Sequence, residues 1–299
     1  MPEPATSIPL ALATLASGLV FVYAVRHLRR PEDQRGPAWP MHLTLGGIAL
    51  LCAVVFVARV VLVHHAWIPL QAHVDGLLLI AALLAGAIVY IQSMPRLFGL
   101  SLFTLPLLTL ILLWGLCASL WTYRPFNLES FEPVWSLFHL GTIYLGLLAF
   151  LLGAAGGAMY LFVQDRVKAK MDLDQVNPMA SLEALETLII RSATLGFVLL
   201  TLSLVSGFIL TEPDSTTVTS GGWWASPKVW LAGAAWLVYA VLMDARASST
   251  FRGRRAAWLA IAGLVLVLAT YGVVEAIDTP NAPGKADPQQ AEGRQKGGA

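Results

Sequence analysis

Charged side chains are scarce in this chain of 299 residues, since Asp, Glu, Lys and Arg together make up only 12% of it. Soluble domains carry about 25% charged residues, so this scarcity excludes an ordinary soluble globular protein. Hydrophobic residues reach 57%, and the mean hydropathy is +0.69. The composition therefore indicates an integral membrane protein. Its expected partner is the lipid bilayer, and we expect no nucleic-acid partner.

Cysteine and the common catalytic motifs are also sparse or missing. The two cysteines, Cys52 and Cys117, both lie inside apolar runs and belong to no CxxC or CxxCH pattern. A zinc ribbon, a redox dithiol and covalent haem attachment therefore lack support. The sequence has no P-loop, HExxH, GxSxG or dinucleotide-binding glycine motif. It also lacks the acidic chain and the broken inverted repeats of many transporters, so only the helix count favours solute transport.

Long apolar runs dominate what is present, and about eight of them are long enough to cross a bilayer, which takes roughly 20 residues. Because no barrel pattern exists, only helices can satisfy the backbone in lipid. We therefore predict an all-α fold, a polytopic transmembrane helical bundle of about eight spans. The predicted spans are 7–26, 41–64, 73–93, 99–121, 135–163, 188–210, 228–245 and 256–277. They form a single transmembrane domain over residues 1–279, and the polar tail 280–299 is predicted to be disordered.

Lysine and arginine cluster in the loops after the first, third, fifth and seventh spans, which predicts that these loops are cytoplasmic. Both termini then lie on the outer, periplasmic side of a bacterial inner membrane. The first span is expected to be an uncleaved anchor, because an acidic residue, Glu3, precedes it and its basic residues follow it. Residues 181–190 are expected to form an interfacial helix that leads into the sixth span. The small residues at 153–158 are expected to allow a close approach to a neighbouring helix.

Histidines lie at the ends of spans that should emerge on the outer side. Imidazole in or beside a bilayer is costly unless it has a partner, so these residues are candidates for a functional site. His139 is the best candidate ligand, because it lies about one turn into an otherwise apolar span, and His73 is the next. The alternatives are a core histidine bonded to a neighbouring carbonyl for His139 and an interfacial residue for His73. His64 and His65 are adjacent and point to different sides of a helix, so at most one of them joins a given site. Haem iron, with His139 and His73 as metal ligands, fits this pattern best.

Other side chains at the same level complete the predicted site. Trp223 and Trp224 follow two glycines in a polar outer loop, where planar rings could lie against a planar ligand. Arg59 lies inside the second span, where an unpaired arginine is expensive. It is predicted either to pair with Asp75 across the hairpin to the third span or to face a carboxylate ligand such as a haem propionate. Lys228 is a second candidate for neutralising a propionate.

Several motifs resemble the cytochrome c assembly family of membrane proteins, which includes the CcsA, HemX and YpjD groups. The stretch MASLEALETLIIRSATLGFVLLTLSLVSGFI is similar to a family segment in which a short helix precedes a span. Further similarities fall on Pro227-Lys228, on Trp236 with Tyr239-Ala240, and on the turn Arg252-Gly253-Arg254-Arg255. PVWSLFHL matches the family's outer histidine, which places it at His139. HHAWIPLQAHVDGL gives a weaker match, and the resemblance covers roughly residues 40–275.

The resemblance implies an integral membrane protein that binds or handles non-covalent haem b and assists the assembly of cytochrome c or another haem protein. The partners it implies are other cytochrome assembly or respiratory membrane proteins. The family's complete haem lyases have a tryptophan-rich loop ending in aspartate and an in-span histidine, where this chain has Ala225, Ser226 and Asp244. We therefore expect an accessory protein closer to the HemX and YpjD branch. The alternative is a structural or regulatory subunit that kept the fold without the haem site. The second axial ligand stays open among His64, His65 and His73.

Overall fold

The computed structural model describes residues 4–29, 39–62, 73–121, 133–168, 180–210, 227–244 and 253–277. Within these residues the regular structure is helical, with no strand. The eight α-helices are α1 (Pro4–Arg29), α2 (Trp39–Leu62), α3 (His73–Gln92), α4 (Ser101–Trp121), α5 (Pro133–Lys168), α6 (Leu182–Leu210), α7 (Pro227–Asp244) and α8 (Arg254–Ile277). A short 3-10 helix, Pro95–Leu97, lies between α3 and α4. The all-α prediction is confirmed.

Six of these helices are long and apolar enough to cross a membrane, judged over the described residues. The six candidate spans are Thr6–His27, Trp39–Val61, Val74–Gln92, Ser101–Leu120, Leu137–Lys168 and Leu182–Gly207. Helix α7 carries a shorter apolar stretch, Trp230–Val241. The chain is therefore a multi-pass membrane protein in contact with lipid. That α7 and α8 also cross the membrane stays a prediction, as does the side on which the termini lie.

Local sequence explains how these helices begin and how they satisfy their polar groups. Helices α1, α5 and α7 each begin with proline, whose fixed φ and missing N–H suit the first helical position. Hydroxyls inside the apolar helices donate to carbonyls of the preceding turn, as Thr14 does to Leu10 at 2.7 Å and Thr109 does to Leu105 at 3.0 Å. Such bonds leave few polar groups to be satisfied by lipid, which cannot supply a partner.

The helices pack as two groups of four. Helix α1 packs against α2 and α4, and α3 packs against α2 and α4; in the second group α5 packs against α6 and α8, and α7 packs against α6 and α8. Helix α5 also contacts α3 and α4 and so joins the two groups. We call the end at which α1, α3, α5 and α7 begin the His139 end, because that histidine lies near the beginning of α5. Helices α2, α4, α6 and α8 end there.

Small residues allow α5 to pack very closely against its neighbours, as predicted from residues 153–158. A Cβ added at Gly153 would lie 3.3 Å from Cβ of Ser192, and one at Gly156 would lie 3.1 Å from Cδ2 of Leu188, both on α6. One at Gly157 would lie 2.8 Å from the backbone carbonyl oxygen of Ala257 on α8. Only glycine permits this last approach, since a backbone atom cannot rotate away.

Stacked aromatic rings hold the second group together at mid-height. The rings of Phe150 and Tyr239 stack with their centroids 3.7 Å apart and their planes 14° from parallel. Glycines leave the space that these rings occupy. A Cβ added at Gly196 would lie 2.2 Å from the ring of Phe150, and one added at Gly263 would lie 2.6 Å from the ring of Tyr239. The indole N–H of Trp236 donates to the hydroxyl of Thr201 at 3.0 Å. Helices α5 to α8 are therefore linked by ring packing as well as by backbone contact.

The end opposite His139 is held by a backbone hydrogen bond and a helix cap. The amide of Ala180 donates to the carbonyl of Phe98 at 3.0 Å, and Ser181 caps α6 by accepting from the amide of Ala184 at 3.2 Å. Helix α6 is continuous from Leu182 into the apolar span, and that its first turns lie in the membrane interface stays a prediction. The residues beyond this cap carry no glycine or proline to interrupt the helix before the apolar span begins.

Candidate functional site

His139 lies between α5 and α6, about a turn and a half into α5, and its side chain is half-buried. Its Nδ1 lies 2.9 Å from Oγ of Ser206 on α6. The hydroxyl of Ser206 donates in turn to the carbonyl of Ser203 at 3.0 Å. Since that hydroxyl has one hydrogen, this geometry assigns the proton of His139 to Nδ1, which then donates to Oγ. The lone pair of the imidazole is then on Nε2, where it can bind a metal ion.

Gly207 provides the space that the imidazole occupies. A Cβ added there would lie 2.9 Å from Cε1 of His139, 3.5 Å from its Nδ1 and 3.6 Å from its Nε2. The ring therefore lies directly against the backbone of α6, beside the residue that supplies its hydrogen-bond partner. Ser206 and Gly207 together determine where the ring lies and which nitrogen carries its proton.

Exposed aromatic residues lie near the beginnings of α5 and α7. Trp135 lies one turn before His139, and residues four apart share a side of a helix. Its ring packs edge-on against Phe138 with the centroids 6.2 Å apart, and both side chains are 43% exposed. Trp230, near the beginning of α7, is 72% exposed. Exposed tryptophans at one end of a helical bundle are typical of the interface between membrane and water.

A buried polar cluster lies at the same end, within α1, α2 and α3. Nε of Arg59 lies 2.6 Å from Oδ1 of Asp75, and Nη1 of Arg59 donates to Oγ1 of Thr6 at 2.9 Å. All three residues are buried. The predicted pairing of Arg59 with Asp75 is confirmed, and Thr6 is an additional partner. The guanidinium of Arg59 therefore already has a carboxylate partner. That Arg59 also binds a haem propionate stays a prediction.

The position of His73 can be compared with that of His139 through a contact between their helices. Tyr144 of α5 packs over Gly76 of α3, where an added Cβ would lie 2.0 Å from the tyrosine ring. His73 lies three residues before Gly76 and His139 five before Tyr144, or about 4.5 Å and 7.5 Å toward the His139 end. The two histidines are thus at similar heights. The side chains of His139 and Tyr144 project from α5 in directions about 140° apart. Since Tyr144 faces α3, the side of α5 that contacts α3 is not the side that carries His139.

The other predicted site residues are described only in part or not at all. His64, His65, Trp223 and Trp224 lie outside the described residues. Lys228 is the second residue of α7, and as with His73 only its backbone is described. The structure therefore brings His139 together with Ser206 and Gly207, and Arg59 together with Asp75.

Ser206 and Gly207 were not predicted as site residues. They are two small residues, one of them polar, within the apolar stretch LSLVSGFIL, close to the outer end of the sixth predicted span. A Ser-Gly pair at the level of an isolated in-span histidine can indicate the residues that contact its ring. This signal is weak, because serines inside membrane helices usually bond only to the preceding turn.

His139 fits the role of an axial ligand to haem iron. A porphyrin supplies four ligands to its iron, so the protein needs to add only axial groups such as an imidazole. Metal-binding histidines almost always donate their other ring N–H to an oxygen, which fixes the tautomer. The bond from Nδ1 of His139 to Ser206 has this form. The described residues contain no cluster of three or more His, Cys, Asp or Glu side chains suited to a bare metal ion.

Comparison with known proteins identifies the family of the chain. The family model described as Cytochrome C assembly protein matches residues 41–278, which is most of the chain. The chain belongs to the cytochrome c assembly protein family. No solved structure matches it. Which branch of the family it belongs to stays a prediction.

The curated relatives carry the name cytochrome c biogenesis protein CcsA. The chain is 31% identical to the one from Synechococcus sp. (strain RCC307) over 159 residues, which is 46% of this chain and 50% of the relative. It is 30% identical to that of Prochlorococcus marinus (strain MIT 9312) over 157 residues, covering 46% and 49%. For Prochlorococcus marinus (strain MIT 9303) the identity is 39% over 90 residues, covering 30% and 27%. The matched region spans about half the length of the first relatives.

Proposed function

We propose that this protein binds haem b non-covalently at the His139 end and assists the assembly of cytochrome c or another haem protein. The observation that carries the proposal is the bond from Nδ1 of His139 to Ser206, which leaves the Nε2 lone pair for iron. A half-buried histidine that a neighbouring helix holds in one tautomer is the arrangement that an axial ligand needs. Membership of the cytochrome c assembly family supports the same function.

Each residue of the proposed site has a distinct task. His139 would supply an imidazole to the haem iron, and Ser206 would hold its ring in position. His73 would supply the second imidazole, with His64 and His65 as alternatives. Trp223 and Trp224 would cover the porphyrin, and Lys228 or Arg59 would neutralise its propionates. When bound, haem would supply a redox-active iron whose potential depends on these axial ligands.

The proposed role is an accessory one, in which the protein holds haem reversibly and passes it to partners in the bacterial inner membrane. The resemblance implies that complete haem lyases of the family have a tryptophan, an aspartate and an in-span histidine at the positions that Ala225, Ser226 and Asp244 occupy here. Formation of the thioether bonds is therefore assigned to partners, which would be other cytochrome assembly or respiratory membrane proteins. The names of the CcsA relatives support a place in this process.

The same departures favour a second candidate function. A structural or regulatory subunit could keep the fold and the helix contacts without binding haem. The two functions differ in whether the purified protein retains haem.

Haem titration of the full chain in detergent tests the proposal. We expect the wild type to bind a single haem b, and His139→Ala to lose most of that binding because it removes the axial nitrogen. His42→Ala is the matched control, since His42 lies near the beginning of α2, at the end opposite His139. A wild-type protein that binds no haem would contradict the proposal and support the structural subunit.

A further inference from the structure

Arg191 is a charged residue on the outer surface of a candidate membrane span. It lies nine residues after the beginning of α6 and three residues after the beginning of the predicted sixth span, 188–210, and its side chain is exposed. It makes no ion pair or hydrogen bond with any residue that the structure describes. Charged residues inside spans usually face the bundle interior and have partners there. An arginine that faces outward near the end of a span therefore calls for an anionic partner from outside the bundle.

A shallow groove runs along the helix at this arginine. Its lining residues all belong to one face of α6 and are Thr187, Ile190, Arg191, Thr194, Leu195 and Val198. Its polarity changes along the helix. Thr187 and Arg191 lie toward the beginning of α6, whereas Leu195 and Val198 lie deeper in the span and are 57% and 49% exposed. The groove is thus polar near the end of the bundle and apolar toward its middle.

The hydroxyl of Thr187 distinguishes the polar part of this groove. Thr194 and Thr201 on the same helix each donate to the carbonyl four residues earlier, at 2.8 Å in both cases. Thr187 makes no hydrogen bond of this kind within the described part of the chain. It lies one turn from Arg191 on the same side of α6, so its O–H can donate to a ligand held by the guanidinium.

We propose that this groove binds an anionic phospholipid, with its phosphate at Arg191 and Thr187 and an acyl chain along Leu195 and Val198. A guanidinium binds phosphate with two parallel hydrogen bonds, and a hydroxyl can add a third. The order of the lining residues matches the order of groups in a phospholipid, which has its headgroup near the membrane surface and its chains deeper. The long arginine side chain can also extend toward the headgroup level. This inference does not depend on haem binding.

Lipid retention by the full chain tests the proposal. The purified protein is mixed in detergent with phosphatidylglycerol or phosphatidylcholine of identical acyl chains, and retained lipid is counted by mass spectrometry after gel filtration. We expect the wild type to prefer phosphatidylglycerol and Arg191→Gln to lose that preference by roughly fivefold, the effect of one basic residue near a membrane surface. Arg191→Lys is expected to keep part of it, because an ammonium still attracts phosphate.

Arg96→Gln is the matched control, since Arg96 is also exposed at this end of the bundle but lies outside the groove. We expect it to retain phosphatidylglycerol as the wild type does. Soluble glycerol phosphate, added in excess, should not displace the lipid, since it lacks the acyl chain. Equal retention by Arg191→Gln and the wild type would overturn the proposal. An equal loss of phosphatidylglycerol in Arg191→Gln and Arg96→Gln would also overturn it. So would a wild type that retains phosphatidylglycerol and phosphatidylcholine equally while another protein copurifies with it and is lost in Arg191→Gln.

Discussion

At the scale of single residues, the tautomer of His139 is the feature with the largest consequence. Its ring could not be assigned a role from the sequence alone, because a core histidine bonded to a carbonyl fits the same pattern. That His139 is a ligand stays a prediction, and its hydrogen-bond partner, Ser206, is 67 residues away along the chain. Its hydroxyl donates to Ser203, so it accepts from the histidine and leaves Nε2 to the ligand.

Replacing Ser206 with alanine should therefore weaken haem binding without abolishing it. Loss of an outer hydrogen-bond partner typically lowers metal affinity by roughly 10- to 100-fold, because the ligating ring is no longer held in one orientation and tautomer. Haem titration of Ser206→Ala measures this change. The control is Ser203→Ala, which keeps the backbone carbonyl that Ser206 uses and should bind haem as the wild type does. Equal affinity in Ser206→Ala and the wild type would show that the hydroxyl does not position the ring.

At the scale of helices, the contact between Arg59 and Asp75 ties α2 to α3, and Thr6 extends it to α1. The sequence predicted the pair because the hairpin between the two helices is short and an unpaired arginine in a span is costly. It did not predict Thr6, which is 53 residues from Arg59. Nothing in a short run of sequence indicates which threonine of another helix faces the guanidinium.

Breaking this buried pair should be strongly destabilising. Arg59→Met leaves the carboxylate of Asp75 buried without its cation, which typically costs about 3–5 kcal/mol. The double variant Arg59→Met with Asp75→Leu removes both charges, and we expect it to recover most of that loss. Thermal unfolding in detergent compares the single and double variants. Additive losses in the double variant would show that the two charges do not stabilise each other.

The close approach of α5 to α8 at Gly157 predicts that two glycine-to-alanine substitutions change the stability in opposite directions. Gly157→Ala places a Cβ against the carbonyl oxygen of Ala257, and overpacking of this kind typically costs about 1–3 kcal/mol. Gly86→Ala in α3 is the matched control, because no atom lies within 4 Å of the added Cβ. There alanine should stabilise the helix by up to about 1 kcal/mol, since it is the better helix former. Unfolding midpoints that shift equally in both variants would contradict the packing described for α5.

At the scale of the whole molecule, hydropathy identified the helices well, because lipid allows an open chain little other regular structure. Predicted and observed boundaries differ by only a few residues in most helices. The exceptions are α5 and α6, which extend well beyond their apolar runs as continuous helices. Hydropathy locates the part of a helix that lies in lipid, and it gives no information on how far the helix continues into water. The packing order of the helices also had no signal in a single sequence.

The distribution of lysine and arginine predicts that both termini lie on the periplasmic side. Alkaline phosphatase fused after residue 299 should then be active, because this reporter folds only where disulfides form. The same reporter inserted in the predicted cytoplasmic loop after α7, at residue 248, should be inactive. The reverse pattern would invert the topology and place His139 on the cytoplasmic side.

The most direct test of the central claim is the reduction potential of bound haem in His139→Met beside the wild type. A thioether in place of an imidazole as axial ligand raises the potential of haem iron and alters its absorption spectrum. We predict both changes in His139→Met and neither in His42→Met. A haem with the same spectrum and the same potential in His139→Met as in the wild type would show that His139 does not ligate the iron.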